Sequence, residues 1–101
     1  MCGICGIVDG SGRHVDGALL RGLNTAIAHR GPDGQGYYEQ PGVGLAMRRL
    51  AIIDVAGGDQ PIYNEDKSVA ILYNGEVYNY QELLVGLIKR GHEFDTKSDT
   101  E

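Results

Sequence analysis

The clearest periodicity along the chain lies at Tyr80, Leu83, Leu84, Leu87 and Ile88, apolar positions spaced i, i+3, i+4, i+7 and i+8. That spacing puts them on one stripe and predicts a helix from about Tyr80 to Arg90. Its ends carry signals too. Asn79 is a suitable N-cap with Glu82 three residues on, Lys89 and Arg90 complement the C-terminal dipole, and Gly91 suits a left-handed stop. A second helix is predicted after the capping residue Asp16, with Leu19, Leu20, Leu23 and Ile27 on one half-buried face and an end near His29.

Strands are predicted elsewhere. Ile4 to Val8 reads as a buried first strand that the Asp9-Gly10-Ser11-Gly12 cluster ends. Arg30-Gly31-Pro32-Asp33-Gly34-Gln35-Gly36 is rich enough in Gly and Pro to predict a loop. Tyr37-Tyr38 and Val43 to Met47 flank Gln40-Pro41-Gly42 as a hairpin would, and Leu50 to Val55 reads as a further strand before the Gly57-Gly58 break. Val69 to Tyr73 is a continuous β-prone run of the kind buried on both faces, preceded by a solvated turn over 64–68. Helices interleaved with strands, without repeat or linker, predict a single α+β unit.

Composition narrows the function classes. A chain of 101 residues with 42% apolar and 23% charged positions permits one small domain with a modest core. Sixteen glycines are about twice the usual ~7% and predict many turns and close backbone approaches. A net charge of −5 with no Lys/Arg cluster argues against nucleic acid or an anionic membrane as partner, and for a small or neutral ligand. No apolar run approaches the ~18 residues of a membrane span, and the N-terminus lacks a basic-then-apolar layout, which predicts a cytoplasmic protein. The two cysteines provide no disulfide framework, in keeping with a reducing compartment.

Chemistry concentrates at the N-terminus. Met1 precedes a small residue and is a good candidate for removal, which would make Cys2 the first residue. A free α-amine ordinarily titrates near ~7.7–8.0, so one residue would then hold both a nucleophilic thiol and a base. Other readings of these positions stand beside this one. Cys2 and Cys5 form a C-x-x-C pair that could be a zinc half-site or redox couple, although structural zinc wants four ligands and the three histidines are scattered. Cys5 otherwise fits a buried small hydrophobe in the first strand. Asn74-Gly75 could be a two-residue hairpin turn, although a helix capped at Asn79 leaves little room for a returning strand. Arg49 and Asp99, taken alone, read as surface charges.

Six segments in order complete the picture: Met1-Cys2-Gly3-Ile4, His29-Arg30-Gly31-Pro32-Asp33, Arg49-Leu50-Ala51-Ile52-Ile53-Asp54, Gln60-Pro61, Asn74-Gly75-Glu76-Val77-Tyr78-Asn79 and Ser98-Asp99-Thr100-Glu101. Together they resemble the glutaminase domain of glutamine-hydrolysing asparagine synthetases, a class II glutamine amidotransferase, over essentially the whole chain. The resemblance implies an N-terminal-nucleophile hydrolase fold, an αββα sandwich incomplete at its C-terminal side, with residues 1–101 the N-terminal part of the domain and the synthetase domain absent. It departs at position 47, where Met47 stands in place of a histidine found in many relatives.

The same resemblance implies roles. Cys2 would attack the side-chain amide of L-glutamine to form a thioester, while the Asn74 side chain and Gly75 N–H hold the developing oxyanion, donors worth roughly 2.7–4 kcal/mol each. Arg49 would take the substrate carboxylate and Asp99 its ammonium, with Glu76 and the Ile53 carbonyl as further contacts. No metal or cofactor is implied for this step; ATP and Mg2+ belong to the synthetase domain, normally in the same chain, which turns the ammonia and aspartate into asparagine. Two alternatives are a class II amidotransferase with another ammonia acceptor and an inactive fragment that self-associates, for instance as a homodimer, through exposed sheet edges.

Overall fold

The structure, a computed structural model, describes residues 1–51 and 57–101. Three strands form one antiparallel sheet: β1 (Gly3–Val8), β2 (Gly34–Gln40) and β3 (Val43–Arg49), in the order β1-β3-β2. β2 and β3 are joined through Pro41-Gly42, with Gln40 opposite Val43, so the expected hairpin is present. β1 lies on the other side of β3 with Gly3 opposite Arg48 and Val8 opposite Val43. The central strand is thus bonded on both edges, and it supplies Ala46 and Met47 to the core.

Helix α1 (Gly17–Ala26) starts as expected, with Asp16 accepting from the Ala18 and Leu19 amides at 2.9 and 3.2 Å. It packs on β1 and β3. The two small residues Gly44 and Ala46 alternate onto the face it covers: a Cβ on Gly44 would meet Val15 and Leu20. The buried stripe is Leu20 and Asn24, with Ile27 half-buried, whereas Leu19 and Leu23 are exposed, contrary to the expected face. Asn24 is held there by its side-chain nitrogen, which donates to the Tyr37 hydroxyl at 3.1 Å, and by its backbone carbonyl, which accepts from Arg48 Nε at 3.0 Å. The helix also stops earlier than His29. Ile27, at φ −101° and ψ 13°, leaves the α conformation, and Ala28–Arg30 tighten into a 3₁₀ turn before Pro32.

Three strand expectations need correction. β2 begins at Gly34, so the last part of the expected 30–36 loop is strand, because its glycines pair in register with Arg49 and Met47. The run over 69–73 forms only a two-residue strand, β5 (Ala70–Ile71), paired with β4 (Ile62–Tyr63). It is not buried on both faces: Val69 and Ile71 are exposed, since β4 is its only strand neighbour among the described residues. The strand expected over 50–55 is absent at Leu50 and Ala51, and the rest of it lies outside the described residues.

Helix α2 (Tyr80–Lys89) matches its expected span and ends on Gly91 at φ 95°, with the His92 amide bonded to the Leu87 carbonyl at 3.2 Å. Its start differs. Asn79 occupies the cap position but its side chain caps nothing, because φ −99° and ψ 25° are not the extended geometry that aims a cap at the first turn. An α+β architecture is therefore present, with two antiparallel sheets among the described residues, a three-stranded core and a two-stranded ribbon.

Candidate functional site

The face of the sheet opposite α1 carries the site. Met47, Arg49 and Gly36 alternate onto that face, and the segment from Gly58 to Ile62 crosses it. Gly36 marks the closest approach: a Cβ there would fall 1.6 Å from the Gln60 carbonyl oxygen, so only glycine lets the crossing segment lie flush. Arg49, at the end of β3, is 6% exposed and bonds Asp59 at 3.0 Å. It is not the surface charge that its residue type alone suggests.

Cys2 sits just before β1, so the antiparallel pairing carries it to the end of β3. Its Sγ lies against Leu50, accepting from the Leu50 amide at 3.3 Å and donating to the Leu50 carbonyl at 3.7 Å. Two side chains distant in sequence converge on the Cys2 carbonyl: Asn74 Nδ2 at 2.9 Å and Arg30 Nε at 3.2 Å. The two-stranded ribbon ends at Ile71, and no strand follows the Asn74-Gly75 pair before α2. The pair is therefore a bend placed beside Cys2 rather than a hairpin turn.

The Ser98-Asp99-Thr100 segment returns to the same place. Asp99 Oδ2 accepts from the Val77 amide at 2.7 Å, which ties this segment to the stretch after Gly75. The result is a cleft of about 250 Å³ that Cys2, Arg49, Asn74, Gly75, Glu76 and Asp99 all line. Six of the seven residues singled out in the sequence thus come together. The seventh, Ile53, lies outside the described residues. A larger cavity of about 460 Å³ runs along α2 and is lined by Leu83, Leu84, Leu87 and Phe94; neither cysteine lines it, whereas Cys2 lines the smaller cleft.

The C-x-x-C pair does not converge. Cys5 lies within β1, three residues from Cys2, and three extended residues span ~10 Å, beyond the ~7 Å that a disulfide tolerates between Cα atoms. Both thiols are free. Cys5 is half-buried rather than fully buried, and burial pushes its thiol above the ordinary range. Among the described residues, no three His, Cys, Asp or Glu side chains gather as a metal site would require. No helix among them is long and apolar enough to cross a membrane.

The resemblance places the 30–36 loop near the active-site entrance, but sequence reasoning named no contact for two residues now in or beside the site. Arg30 touches Cys2, and Gln60 lines the cleft. Both stand inside motifs that were visible in the sequence, His29-Arg30-Gly31-Pro32-Asp33 and Gln60-Pro61, but nothing in either motif says which neighbour it will meet.

Comparison with known proteins identifies the family. The family profile described as "Glutamine amidotransferase domain" matches residues 1–101. Asparagine synthetase (glutamine-hydrolyzing) 1 of Bacillus subtilis is 49% identical over 83 residues, covering 82% of this chain and 13% of that protein. Asparagine synthetase (glutamine-hydrolyzing) 2 of the same organism is 42% identical over 104 residues, covering 100% of this chain and 14% of that protein. The asparagine synthetase (glutamine-hydrolyzing) of Sandersonia aurantiaca is 45% identical over 105 residues, covering 100% of this chain and 19% of that protein. The chain thus spans less than a fifth of the length of these relatives.

Proposed function

The chain belongs to the glutamine amidotransferase family, and from that premise we propose that it hydrolyses the side-chain amide of L-glutamine to glutamate and ammonia through a thioester on Cys2. The observation that carries this reading is the convergence of Cys2, Arg49, Asn74, Gly75, Glu76 and Asp99 on one cleft. Met1 is 76% exposed and so within reach of a processing enzyme. Its removal would give Cys2 a free α-amine.

In the first half-reaction the Cys2 sulfur bonds the carboxamide carbon, and the thiol proton passes through the α-amine to the departing nitrogen. Ammonia leaves as the C–N bond breaks. Asn74 Nδ2, which bonds the Cys2 carbonyl, lies next to the place where the oxyanion develops, and the Gly75 N–H is the second donor. Water, activated by the same amine, then adds to the thioester and releases glutamate. Atoms and charge balance without an oxidant, reductant or metal, so the step needs no cofactor.

Arg49 is the partner for the substrate carboxylate. It is buried enough to make a strong charge-assisted bond, and Asp59, one of its partners, has a side chain 75% exposed that can turn to solvent when substrate arrives. Asp99 spends Oδ2 on the Val77 amide, which leaves Oδ1 for the substrate ammonium, with Glu76 beside it. The names of the relatives make asparagine synthesis the destination we propose for the ammonia, in a cytoplasmic enzyme whose synthetase portion would be the part that uses ATP and Mg2+.

The test is intact-mass measurement before and after exposure to an electrophilic diazo-ketone analogue of glutamine. The expected result is a mass lacking Met1 and one adduct that maps to Cys2 and is absent in Cys2→Ser. Retention of Met1, or modification spread over both cysteines, would count against the mechanism.

A further inference from the structure

We propose that Gln60 is a positioning residue for this reaction: its buried side-chain amide sets the peptide plane that presents Asn74 to Cys2. The inference rests on the glutaminase reading above and deepens it.

Gln60 is 8% exposed, and its amide is fully engaged by a single residue. Nε2 donates to the Tyr73 carbonyl at 3.0 Å, and Oε1 accepts from the Tyr73 amide at 2.6 Å. The ribbon explains why a side chain takes this place. β4 and β5 pair Ile62 with Ile71, so the next two antiparallel pairs in that register would be Pro61 with Leu72 and Gln60 with Tyr73. Asn64 and Val69 form a hydrogen-bonded pair of this ladder, so by alternation Gln60 and Tyr73 fall at another bonded position and Pro61 with Leu72 between them. The Gln60 side chain restores both bonds at the position where the main chain would have made them.

The consequence runs toward Cys2. The Tyr73 carbonyl and the Asn74 nitrogen belong to one planar peptide unit, so a bond that fixes the carbonyl also fixes the direction in which Asn74 leaves it. Asn74 Nδ2 reaches the Cys2 carbonyl at 2.9 Å from that anchor. On its other side, the Gln60 backbone rests on Gly36 of β2, in the sheet that also carries Arg49 and Cys2. Gln60 therefore joins the sheet bearing the nucleophile to the bend bearing the oxyanion donors. In a site where a displacement of ~1 Å can slow chemistry about 100-fold, such a link acts on rate more than on binding.

The variants Gln60→Leu and Gln60→Glu separate this role from a merely structural one. The readouts are the saturating rate and the half-saturating concentration for Cys2 adduct formation with the diazo-ketone analogue, beside the thermal midpoint of each variant. Gln60→Leu is expected to lower the saturating rate roughly 10- to 100-fold while the half-saturating concentration moves less than ~3-fold. Gln60→Glu keeps the shape. Ionised, it accepts from the Tyr73 amide but repels the Tyr73 carbonyl; protonated, it can donate to that carbonyl again. Burial raises a carboxyl above its ordinary ~4.3, so the rate of Gln60→Glu relative to the unsubstituted protein is expected to recover as pH falls from about 8 toward about 5.

A Gln60→Glu ratio that stays flat at unity over this range would overturn the proposal, as would a Gln60→Leu loss confined to the half-saturating concentration. Absence of any Cys2 adduct in the unsubstituted protein would overturn the glutaminase reading itself, and the role of Gln60 with it.

Discussion

α1 and α2 are both ten residues long and both amphipathic, yet only one of them is built into a core. α1 buries Leu20 and Asn24 completely, while α2 buries no residue, and its Leu83, Val85 and Ile88 are 48%, 55% and 55% exposed. The difference is not in the helices themselves. α1 meets a strand whose facing residues are Gly44 and Ala46, small enough for its side chains to reach the sheet. α2 meets the irregular 94–101 segment, and Leu84 and Leu87 line an open cavity beside Phe94 instead of a filled contact. An apolar stripe therefore specifies that a helix forms, and the surface opposite it decides how much burial that stripe brings.

The largest expected effect tests this contrast directly. Leu20→Ala removes a fully buried side chain from between α1 and β3 and is expected to lower stability by ~2–5 kcal/mol. Leu83→Ala, on the exposed stripe of α2, is expected to change it by less than ~1 kcal/mol. Urea midpoints of the two variants, with unchanged slopes, would show the gap. Equal losses would mean that α2 is covered to the same degree as α1, and the contrast would fall.

The same logic says which parts were legible in the sequence. The span of α2, the Asp16 cap and the Pro41-Gly42 hairpin rest on local signals, a 3.6-residue period, a capping side chain and a turn pair, whereas the residues of the cleft were legible only through the resemblance of several motifs to a family. What was missed depended on partners far along the chain. Leu19 and Leu23 have the right spacing for a buried face, but Asn24 takes the inward position, where its side-chain nitrogen donates to Tyr37 and its backbone carbonyl accepts from Arg48. Gly34 and Gly36 read as loop because glycine favours turns; in the fold they are strand, and Gly36 is small to admit Gln60. The Val69–Tyr73 run has the composition of a central strand and the surroundings of an edge.

A smaller effect separates the two helix starts. Asp16 accepts two first-turn amides, so Asp16→Ala is expected to cost about 1 kcal/mol, within the ~0.5–2 kcal/mol range for a lost cap. The Asn79 side chain makes no cap bond, and Asn79→Ala is expected to leave the denaturation midpoint within ~0.5 kcal/mol of the parent. A clear loss on Asn79→Ala would show that the side chain swings into the cap in solution and would bring the two helices closer in kind.

The smallest effect concerns acid. Glu65, in the ribbon turn, is held below the ordinary glutamate range first by a hydrogen bond from its own backbone and then by the His92 ring at 2.6 Å, which ties the end of α2 to that turn. In the other half, the Ser11 hydroxyl and amide lower Asp9 in the same sense. A carboxyl whose folded value is depressed contributes stability above its unfolded value and loses that contribution as pH falls through the folded one. Both contributions should therefore be present at neutral pH and fade below about pH 4. His92→Ala should raise the titration midpoint of Glu65, followed through its side-chain carboxyl carbon shift, and leave that of Asp9 where it was. A Glu65 midpoint unmoved by this substitution would leave its own backbone as the whole cause, and α2 would then have no ionic tie to the ribbon turn through His92.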